Sequence, residues 1–300
     1  MTSCDGWVVL DKPEGMTSTQ AVARVKRLFK ADKAGHAGTL DPLASGLLPI
    51  ALGEATKTVS YAMDGRKIYR FTVKWGEERS TDDLEGPVTA TSDGRPDKAA
   101  IESLLSRFRG EIMQAPPAFS AIKVQGERAY DLARSGAALD LTPRPVTIDR
   151  LDLVGCPDPD QSVFVTECGK GTYIRSLARD MGRALGCLGH VAALRRVAVG
   201  PFAEADMISL DKLTEMSHKA PGHMAVTGVL RPLETVLDGI PALAVKDAEA
   251  QRLKQGQSVL LRGANAPIAE AAVLVTWGGK PLGLCSIEQG ALKPKRLFNL

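Results

Sequence analysis

The stretch Gly35-His36-Ala37-Gly38-Thr39-Leu40-Asp41-Pro42-Leu43-Ala44-Ser45-Gly46 lies between a basic and an apolar segment and holds three glycines, a histidine and a carboxylate. Glycine lets a backbone approach a ligand closely. Asp41 precedes a proline, which favours an extended conformation for that residue. A carboxylate on such a corner can act as a nucleophile or a base, or it can cap a helix that begins at Pro42. Both interpretations stay open at this point.

The composition indicates a folded chain with one large and one small domain, or two of medium size. Its 300 residues are 44% hydrophobic and 24% charged, which is enough for a substantial core. No apolar run reaches the ~20 residues that span a bilayer. The first residues also lack the basic and apolar regions of a signal peptide. We expect a cytoplasmic protein without a membrane segment.

Cysteine and histidine positions predict neither disulfides nor a metal site. The five cysteines show no CxxC spacing and their number is odd, which favours free thiols. The four histidines form no cluster with each other or with cysteine. Neither a phosphate-binding GxxxxGK motif nor a GxGxxG motif is present. We therefore expect no cofactor and no metal, and a chemistry that depends on side chains alone.

Basic residues are concentrated in two segments. Five fall in Val22–Lys33 and six in Gly169–Arg196, against one acid in each segment. The acids collect elsewhere, notably in Glu77–Glu85. This segregation favours a basic face that binds phosphates. The alternative is that each segment is simply a solvated helix face.

Local patterns predict the elements around these segments. Thr17 and its neighbours can cap a helix that runs to about Lys30. Apolar and polar residues alternate over Ile68–Trp75, which predicts a half-buried strand. The further predicted elements are a helix after Asp97, strands over Val146–Val154 and Ser162–Cys168, a helix after Tyr173, and a strand over Leu194–Val199.

Two regions indicate how the chain is divided. Residues 114–145 contain four prolines around a short helical piece near Tyr130–Arg134, and we interpret them as a long functional excursion. Order weakens over Met216–Pro232. The short strand-like runs beyond it suggest a small β-rich domain, and they are Ser258–Leu261, Ala271–Trp277 and Leu282–Ile287. We place the domains at 1–236 and 237–300. Strands and helices do not alternate steadily in the first, which favours an α+β class over a doubly wound fold.

The stretch around Asp41 resembles the catalytic motif GH-x-G-x-LDP-x-A-x-G of the TruB-type tRNA pseudouridine-55 synthase family, and every specified position matches. Five further segments resemble motifs of that family, and all six occur along the chain in the family's order. They are Gly6–Ser18, Lys67–Arg70, Gly110–Lys123, Gly169–Arg175 and His190–Arg196. The resemblance therefore covers the large domain almost from end to end.

The resemblance implies the α+β pseudouridine synthase fold, a mixed and mainly antiparallel sheet with flanking helices, followed by a small C-terminal β-rich domain similar to PUA. It implies that uridine 55 in the T arm of tRNA is flipped out and isomerised to pseudouridine by an aspartate, without a cofactor. The partner would be the T-arm stem-loop, contacted by the basic segments and by residues 114–145. The length and self-contained layout favour a stand-alone enzyme without an obligate protein partner. We expect a monomer, since nothing in the sequence suggests a dimer surface.

The resemblance also implies roles for six residues. The catalytic ones are Asp41, Tyr69 and Arg175, and the substrate-binding ones are His36, Tyr173 and Leu194. By pattern alone, Tyr69 and Leu194 are core side chains, and Arg175 is a solvated arginine. A lone histidine such as His36 is commonly structural, although its flanking glycines argue against core packing. We expect Lys12, in the first motif, to have a scaffold role.

Two other functions stay open from the sequence. One is a guide-RNA-dependent synthase that acts with protein partners. The other is an RNA-binding or RNA-folding protein whose catalysis is secondary or lost. The presence of all three catalytic candidates argues against a loss of catalysis.

Overall fold

The computed structural model describes residues 4–120, 123–124, 127–128, 141–219, 228–263 and 266–300. The first part contains β1 (Gly6–Lys12), α1 (Ser18–Phe29), β2 (Ala34–His36), β3 (Ser45–Leu52), α2 (Val59–Asp64), β4 (Lys67–Trp75), β5 (Glu77–Arg79), β6 (Val88–Thr91), α3 (Lys98–Leu105), β7 (Gly110–Gln114), β8 (Lys123–Val124) and β9 (Glu127–Arg128). Then follow β10 (Arg144–Asp158), β11 (Gln161–Cys168), α4 (Ile174–Ala184), β12 (Gly189–Val199), β13 (Phe202–Ala203), β14 (Ile208–Ser209) and α5 (Leu210–Lys219). The C-terminal elements are β15 (Ala242–Ala244), α6 (Asp247–Lys254), β16 (Val259–Leu260), β17 (Glu270–Trp277), β18 (Lys280–Glu288) and β19 (Ala291–Leu297).

A ten-stranded sheet forms the centre of the large part. Its order is β14-β1-β3-β12-β4-β11-β10-β7, with β2 paired to β3 and β13 paired to β12. Within this sheet, β1 with β14 and β3 with β12 are parallel, and the other pairings are antiparallel. The mixed, mainly antiparallel sheet is therefore confirmed. Because β3, β12 and β4 are neighbours, the loop before β3 lies beside residues of the other two strands.

Helix α1 begins and ends where local signals predict. Thr17 accepts a hydrogen bond from the Gln20 backbone, and the Gln20 side chain accepts one from the Thr17 backbone, which is a complete capping box. Ala21, Val25 and Phe29 form the buried stripe. Lys30 then adopts a left-handed conformation that terminates the helix.

Strand β4 is half-buried, as the alternation predicts. Phe71, Val73 and Trp75 point into the core, and the ring of Phe71 stacks on Phe164 of β11 at 5.3 Å between centroids. The Trp75 indole donates to the Ser162 hydroxyl at 2.9 Å, so its one polar atom is satisfied inside the core. This packing fixes β4, and with it Tyr69, in the middle of the sheet.

The helix-cap interpretation of Asp41 is wrong. The chain makes a turn at residues 41–44, closed by the Ala44 backbone donating to the Asp41 carbonyl at 3.1 Å, and then enters β3. Gly46 has a φ of +97°, and a Cβ atom there would lie 2.3 Å from the carbonyl oxygen of Arg196. Glycine is therefore required for β3 to run against β12 at this point.

The C-terminal elements form a β-rich unit, as expected. Its five strands are ordered β15-β17-β18-β19-β16. Leu284 and Phe298 join a core cluster with Trp7 of β1, and the Lys57 ammonium donates to the Leu297 carbonyl at 2.7 Å, so this unit is attached to the large part. The boundary between residues 236 and 237 stays a prediction.

The connecting segments differ in part from the prediction. Helix α5 continues to Lys219, so the start of the weakly ordered Met216–Pro232 region was placed too early. Much of the 114–145 excursion, including the helical piece near Tyr130–Arg134, lies outside the described residues. Among the residues that are described, no helix is both long and apolar enough to cross a membrane.

Candidate active site

Asp41 and Arg175 face each other at the centre of the motif loop. The Arg175 Nε atom lies 2.9 Å from the Asp41 Oδ2 atom, in the geometry of a close ion pair rather than of an aligned hydrogen bond. The Arg175 side chain is 5% exposed, whereas that of Asp41 is 35% exposed. The Asp41 carboxylate is therefore accessible to solvent, and the buried Arg175 guanidinium holds it from below the surface.

A second carboxylate, which is not among the predicted site residues, contacts the same guanidinium. Asp83 Oδ2 lies 3.6 Å from Arg175 Nη1, and Asp83 is almost fully buried. Arg175 also donates to the carbonyls of Thr81 at 2.9 Å and Phe119 at 2.8 Å. These four partners fix the guanidinium, and through it the orientation of Asp41.

Helix α4 does not present a basic face, which corrects the expectation for its segment. We call Arg175, Arg179 and Arg183 the α4 arginine row. Arg179 pairs with Asp82 at 2.8 Å and with Asp180 at 2.9 Å, and Arg183 pairs with Glu78 at 2.6 Å. The acids of Glu77–Glu85 thus pack directly onto the row instead of lying elsewhere.

Asp82 is the most strongly perturbed of these acids. Burial raises its pKa from 3.8 to about 6, although the neighbouring Arg179 opposes the shift. Asp82 also has a φ of +60°, a conformation that aspartate tolerates better than most residues. Its backbone carbonyl accepts from Val191 at 3.0 Å, which ties this acidic turn to β12.

Arg196 is a buried cation that connects the Asp41 loop to β4. It is 1% exposed, and it donates to the carbonyls of Leu47 at 2.7 Å, Gly38 at 3.0 Å and Thr39 at 3.4 Å. It is also the direct cross-strand neighbour of Tyr69. One side chain therefore holds both ends of the loop and borders the candidate tyrosine.

Tyr69 lies in the same neighbourhood as Asp41. Burial is the main cause that raises the pKa of the Tyr69 phenol, the charge of Asp41 adds to the increase, and Arg196 opposes it. The phenol is therefore protonated at neutral pH and available as a hydrogen-bond donor.

The other flank of the Asp41 loop is fixed by the residues around α1. The Ser18 hydroxyl donates to the Leu40 carbonyl and accepts from the Leu40 backbone, both at 2.9 Å. Lys12 is fully buried and donates to the carbonyls of Met16 at 2.7 Å and Pro42 at 3.4 Å. Burial lowers the pKa of Lys12 to about 8. These contacts support the scaffold interpretation of Lys12.

Tyr173 and Leu194 reach the site from α4 and β12. Tyr173 is the residue before α4, and the Gln114 side chain exchanges hydrogen bonds with both of its backbone polar groups, at 2.8 and 3.1 Å. Burial raises the pKa of the Tyr173 phenol. Leu194 is 6% exposed and pairs across the strands with Phe71, two residues before Arg196 on the same face. Its position agrees with the core interpretation and also places it beside Tyr69.

His36 lies close enough to Arg196 for the charge of that arginine to act on its imidazole. Burial is the main cause that lowers the pKa of its imidazole, and the charge of Arg196 lowers it further. Its Nδ1 atom is buried without a hydrogen-bond partner among the described residues. Both effects favour the neutral form of the imidazole.

The arrangement of these residues can support acid–base or nucleophilic chemistry on an anionic or polar ligand. Asp41 supplies an accessible carboxylate, Tyr69 a phenol, and Arg175 and Arg196 a rigid frame of buried cations. In the described ranges, no group of three or more histidine, cysteine or acidic side chains is arranged to hold a metal ion.

Solved structures share this architecture. The crystal structure of a Cbf5-Nop10-Gar1 complex matches with a TM-score of 0.73 and 25% identity, over 97% of this chain and 84% of that one. The archaeal box H/ACA sRNP Nop10-Cbf5 complex matches with a TM-score of 0.73 and 26% identity, over 97% and 85%. The chain thus has the fold of these proteins.

Sequence comparison identifies the family to which this chain belongs. Residues 26–174 match the TruB family pseudouridylate synthase N-terminal domain, 175–238 the tRNA pseudouridylate synthase B C-terminal domain, and 241–298 the pseudouridine synthase II TruB C-terminal domain. A tRNA pseudouridine synthase B of Bradyrhizobium diazoefficiens is 64% identical over 98% of this chain and 86% of its own length. One of Brucella melitensis is 55% identical over 98% and 95%. The chain belongs to the TruB family of pseudouridylate synthases, as its motifs predict.

Proposed function

We propose that this protein isomerises uridine 55 in the T arm of tRNA to pseudouridine, with Asp41 as the reacting carboxylate. The observation that carries the proposal is the 2.9 Å pair of Asp41 with the buried Arg175, in a chain of the TruB family. The relatives named tRNA pseudouridine synthase B support tRNA as the substrate.

The reaction breaks the N-glycosidic bond, turns the uracil and forms a carbon–carbon bond through C5, so no atom is gained or lost. A carboxylate beside the sugar can trap a cationic sugar, attack the base or remove a sugar proton. Arg175 and Asp83 hold Asp41 in one orientation for this step. The protonated Tyr69 would lie against the uracil and assist the transfer of the C5 proton.

A stacked uridine cannot reach Asp41, so the nucleotide must leave its helix, which costs a few kcal/mol. We assign Tyr173 and Leu194 to the walls of the pocket that receives it. His36 would occupy the space that the base leaves, with its imidazole in the neutral form that burial favours. An imidazole in this state can donate to or accept from the exposed RNA bases.

The test is incubation of the purified protein with an unmodified T-arm hairpin, followed by nucleoside analysis. We expect pseudouridine at the target position and none when that uridine is replaced by cytidine. Guide RNA and other proteins are left out of the reaction. If product formed only after they were added, the stand-alone function would be wrong, and the guide-RNA-dependent alternative would replace it.

A further inference from the structure

Helix α1 and the residue that ends it, Lys30, carry a set of cations that differ from those of the α4 arginine row. Arg24, Lys26, Arg27 and Lys30 are exposed, and we call these four residues the α1 basic face. The helix itself contains no aspartate or glutamate. Within the described ranges none of the four makes an ion pair. Lys33 lies beyond the helix, and its charge helps to lower the pKa of the Glu54 carboxyl, so we do not include it.

A groove runs along one side of this face. Arg24 and Arg27 are one turn apart on the helix, so their side chains are neighbours, and they border the groove together with the small side chain of Ala23. Its lining consists of Gly15, Met16, Gln20, Ala23, Arg24 and Arg27. Two guanidinium groups beside a concave surface can each donate two hydrogen bonds to one phosphate.

The groove is rigidly connected to the Asp41 loop. Gly15, at its edge, donates through its backbone to the Pro42 carbonyl at 2.8 Å. Ser18, the first residue of α1, bonds both backbone groups of Leu40. A ligand held by the helix is therefore held at a fixed position relative to Asp41.

We propose that the α1 basic face binds the RNA backbone next to the target nucleotide, with Arg24 and Arg27 each contacting a phosphate in the groove. This inference rests on the proposed function, because RNA is the polyanion that must lie beside Asp41. Phosphate contacts of this kind fix the register of an RNA and carry no sequence information. The face sets affinity and position, whereas the Asp41 loop carries out the reaction.

A structural role makes a different prediction for the same residues. Lys26 and Arg27 lie in the last turn of α1, where cations stabilise the partial negative charge of the helix end. In that case their removal would lower stability and leave RNA binding unchanged. The test therefore measures both quantities in each variant.

The experiment uses the double variant Arg24→Gln/Arg27→Gln and a hairpin with cytidine at the target position, so that turnover does not interfere. We expect the dissociation constant to rise on the order of ten-fold at physiological salt. The variant lacks two phosphate contacts, so its binding releases fewer counterions from the RNA. The slope of log affinity against log salt should fall in magnitude by about 2. On the uridine hairpin, KM should rise while kcat at saturating RNA stays unchanged.

The matched control is Lys98→Gln/Arg107→Gln, which removes the same charge from exposed residues of α3 and the turn after it. An unchanged salt slope in the Arg24/Arg27 variant, or an equal loss in the control, would overturn the proposal. If the Arg24/Arg27 variant lost affinity for polyglutamate but kept its affinity for RNA, the proposal would be wrong, and the face would bind an acidic protein. If the wild type binds RNA through these arginines but makes no pseudouridine, the proposed function is wrong, whereas RNA binding by the α1 basic face is confirmed.

Discussion

The α4 arginine row and the α1 basic face look alike in the sequence and differ in the structure. Each is a run of cations at helical spacing with hardly any acid nearby. In α4 every arginine meets a carboxylate between 2.6 and 2.9 Å away, and the first two are buried. In α1 the cations are exposed and, among the described residues, unpaired.

The difference shows that the partners of a charge, rather than its sign, determine its role. The α4 row is neutralised by acids from β5 and the turn that follows it, so its charge serves to hold the fold and to orient Asp41. The α1 face keeps its charge available for a polyanion. Substitutions in the two regions should accordingly affect different quantities.

The largest expected effect is that of Arg175→Gln. This change leaves Asp83 buried without its counter-charge and Asp41 without its support, and breaking a buried pair costs about 3–5 kcal/mol. We expect that loss in the free energy of unfolding, measured in urea, together with loss of turnover. A variant as stable as the wild type would show that burial of the pair is unimportant.

Arg196→Lys should have the next largest effect. Lysine keeps the charge but has no planar fork for the carbonyls of Leu47, Gly38 and Thr39, so we expect a loss of about 2 kcal/mol and a lower kcat. Arg195→Lys is the control, because that neighbour points to the other face and pairs with Asp11 in a more exposed position. Equal losses in the two variants, in the free energy of unfolding in urea and in kcat, would show that the Arg196 hydrogen bonds do not hold the Asp41 loop.

Asp82→Asn should change how stability depends on pH. The pKa of Asp82 is raised from 3.8 to about 6 in the fold. Its stabilising contribution is therefore fully present below pH 3.8 and is lost as the pH rises through about 6. Asparagine does not ionise and tolerates the positive φ. We expect the Tm of the variant to rise relative to that of the wild type as the pH increases from acidic to neutral. Parallel curves of Tm against pH for the two proteins would contradict this.

The smallest expected effects are those of Arg183→Gln, at the end of the α4 arginine row, and of Arg24→Gln, in the α1 basic face. Arg183→Gln removes an exposed bidentate pair with Glu78 and should cost under about 1 kcal/mol. Arg24→Gln removes no ion pair and should lie within about 0.5 kcal/mol of the wild type. Urea unfolding of both variants tests the ranking. A larger loss for Arg24→Gln would indicate a structural role for the α1 face.

Much of the fold could be predicted because its signals are local. Thr17 with Gln20 determines the start of α1, and the alternation of Ile68–Trp75 determines β4. Strand β19 was missed because Pro294 lies inside it, and proline argues against a strand. In the structure Pro294 pairs at a register shift opposite Cys285, where the irregular ladder tolerates it.

The site could be predicted in part, and the rest depends on contacts between distant segments. The motif loop and the start of α4 led to Asp41 and Arg175, and the structure brings the two together. Asp83 was missed because an acidic segment does not reveal which helix it will cover. Arg196 was missed because its backbone partners carry no side-chain signal. The catalytic and binding roles of all these residues stay predictions.

The central claim is that the accessible carboxylate of Asp41 performs the reaction and is not needed for folding. The direct test is Asp41→Asn, measured for pseudouridine formation, affinity for the T-arm hairpin and free energy of unfolding. We expect kcat to fall by at least about 10²- to 10⁴-fold, with RNA affinity and stability close to wild type. Normal turnover by this variant would contradict the account, and a large loss of stability would show that the carboxylate is structural.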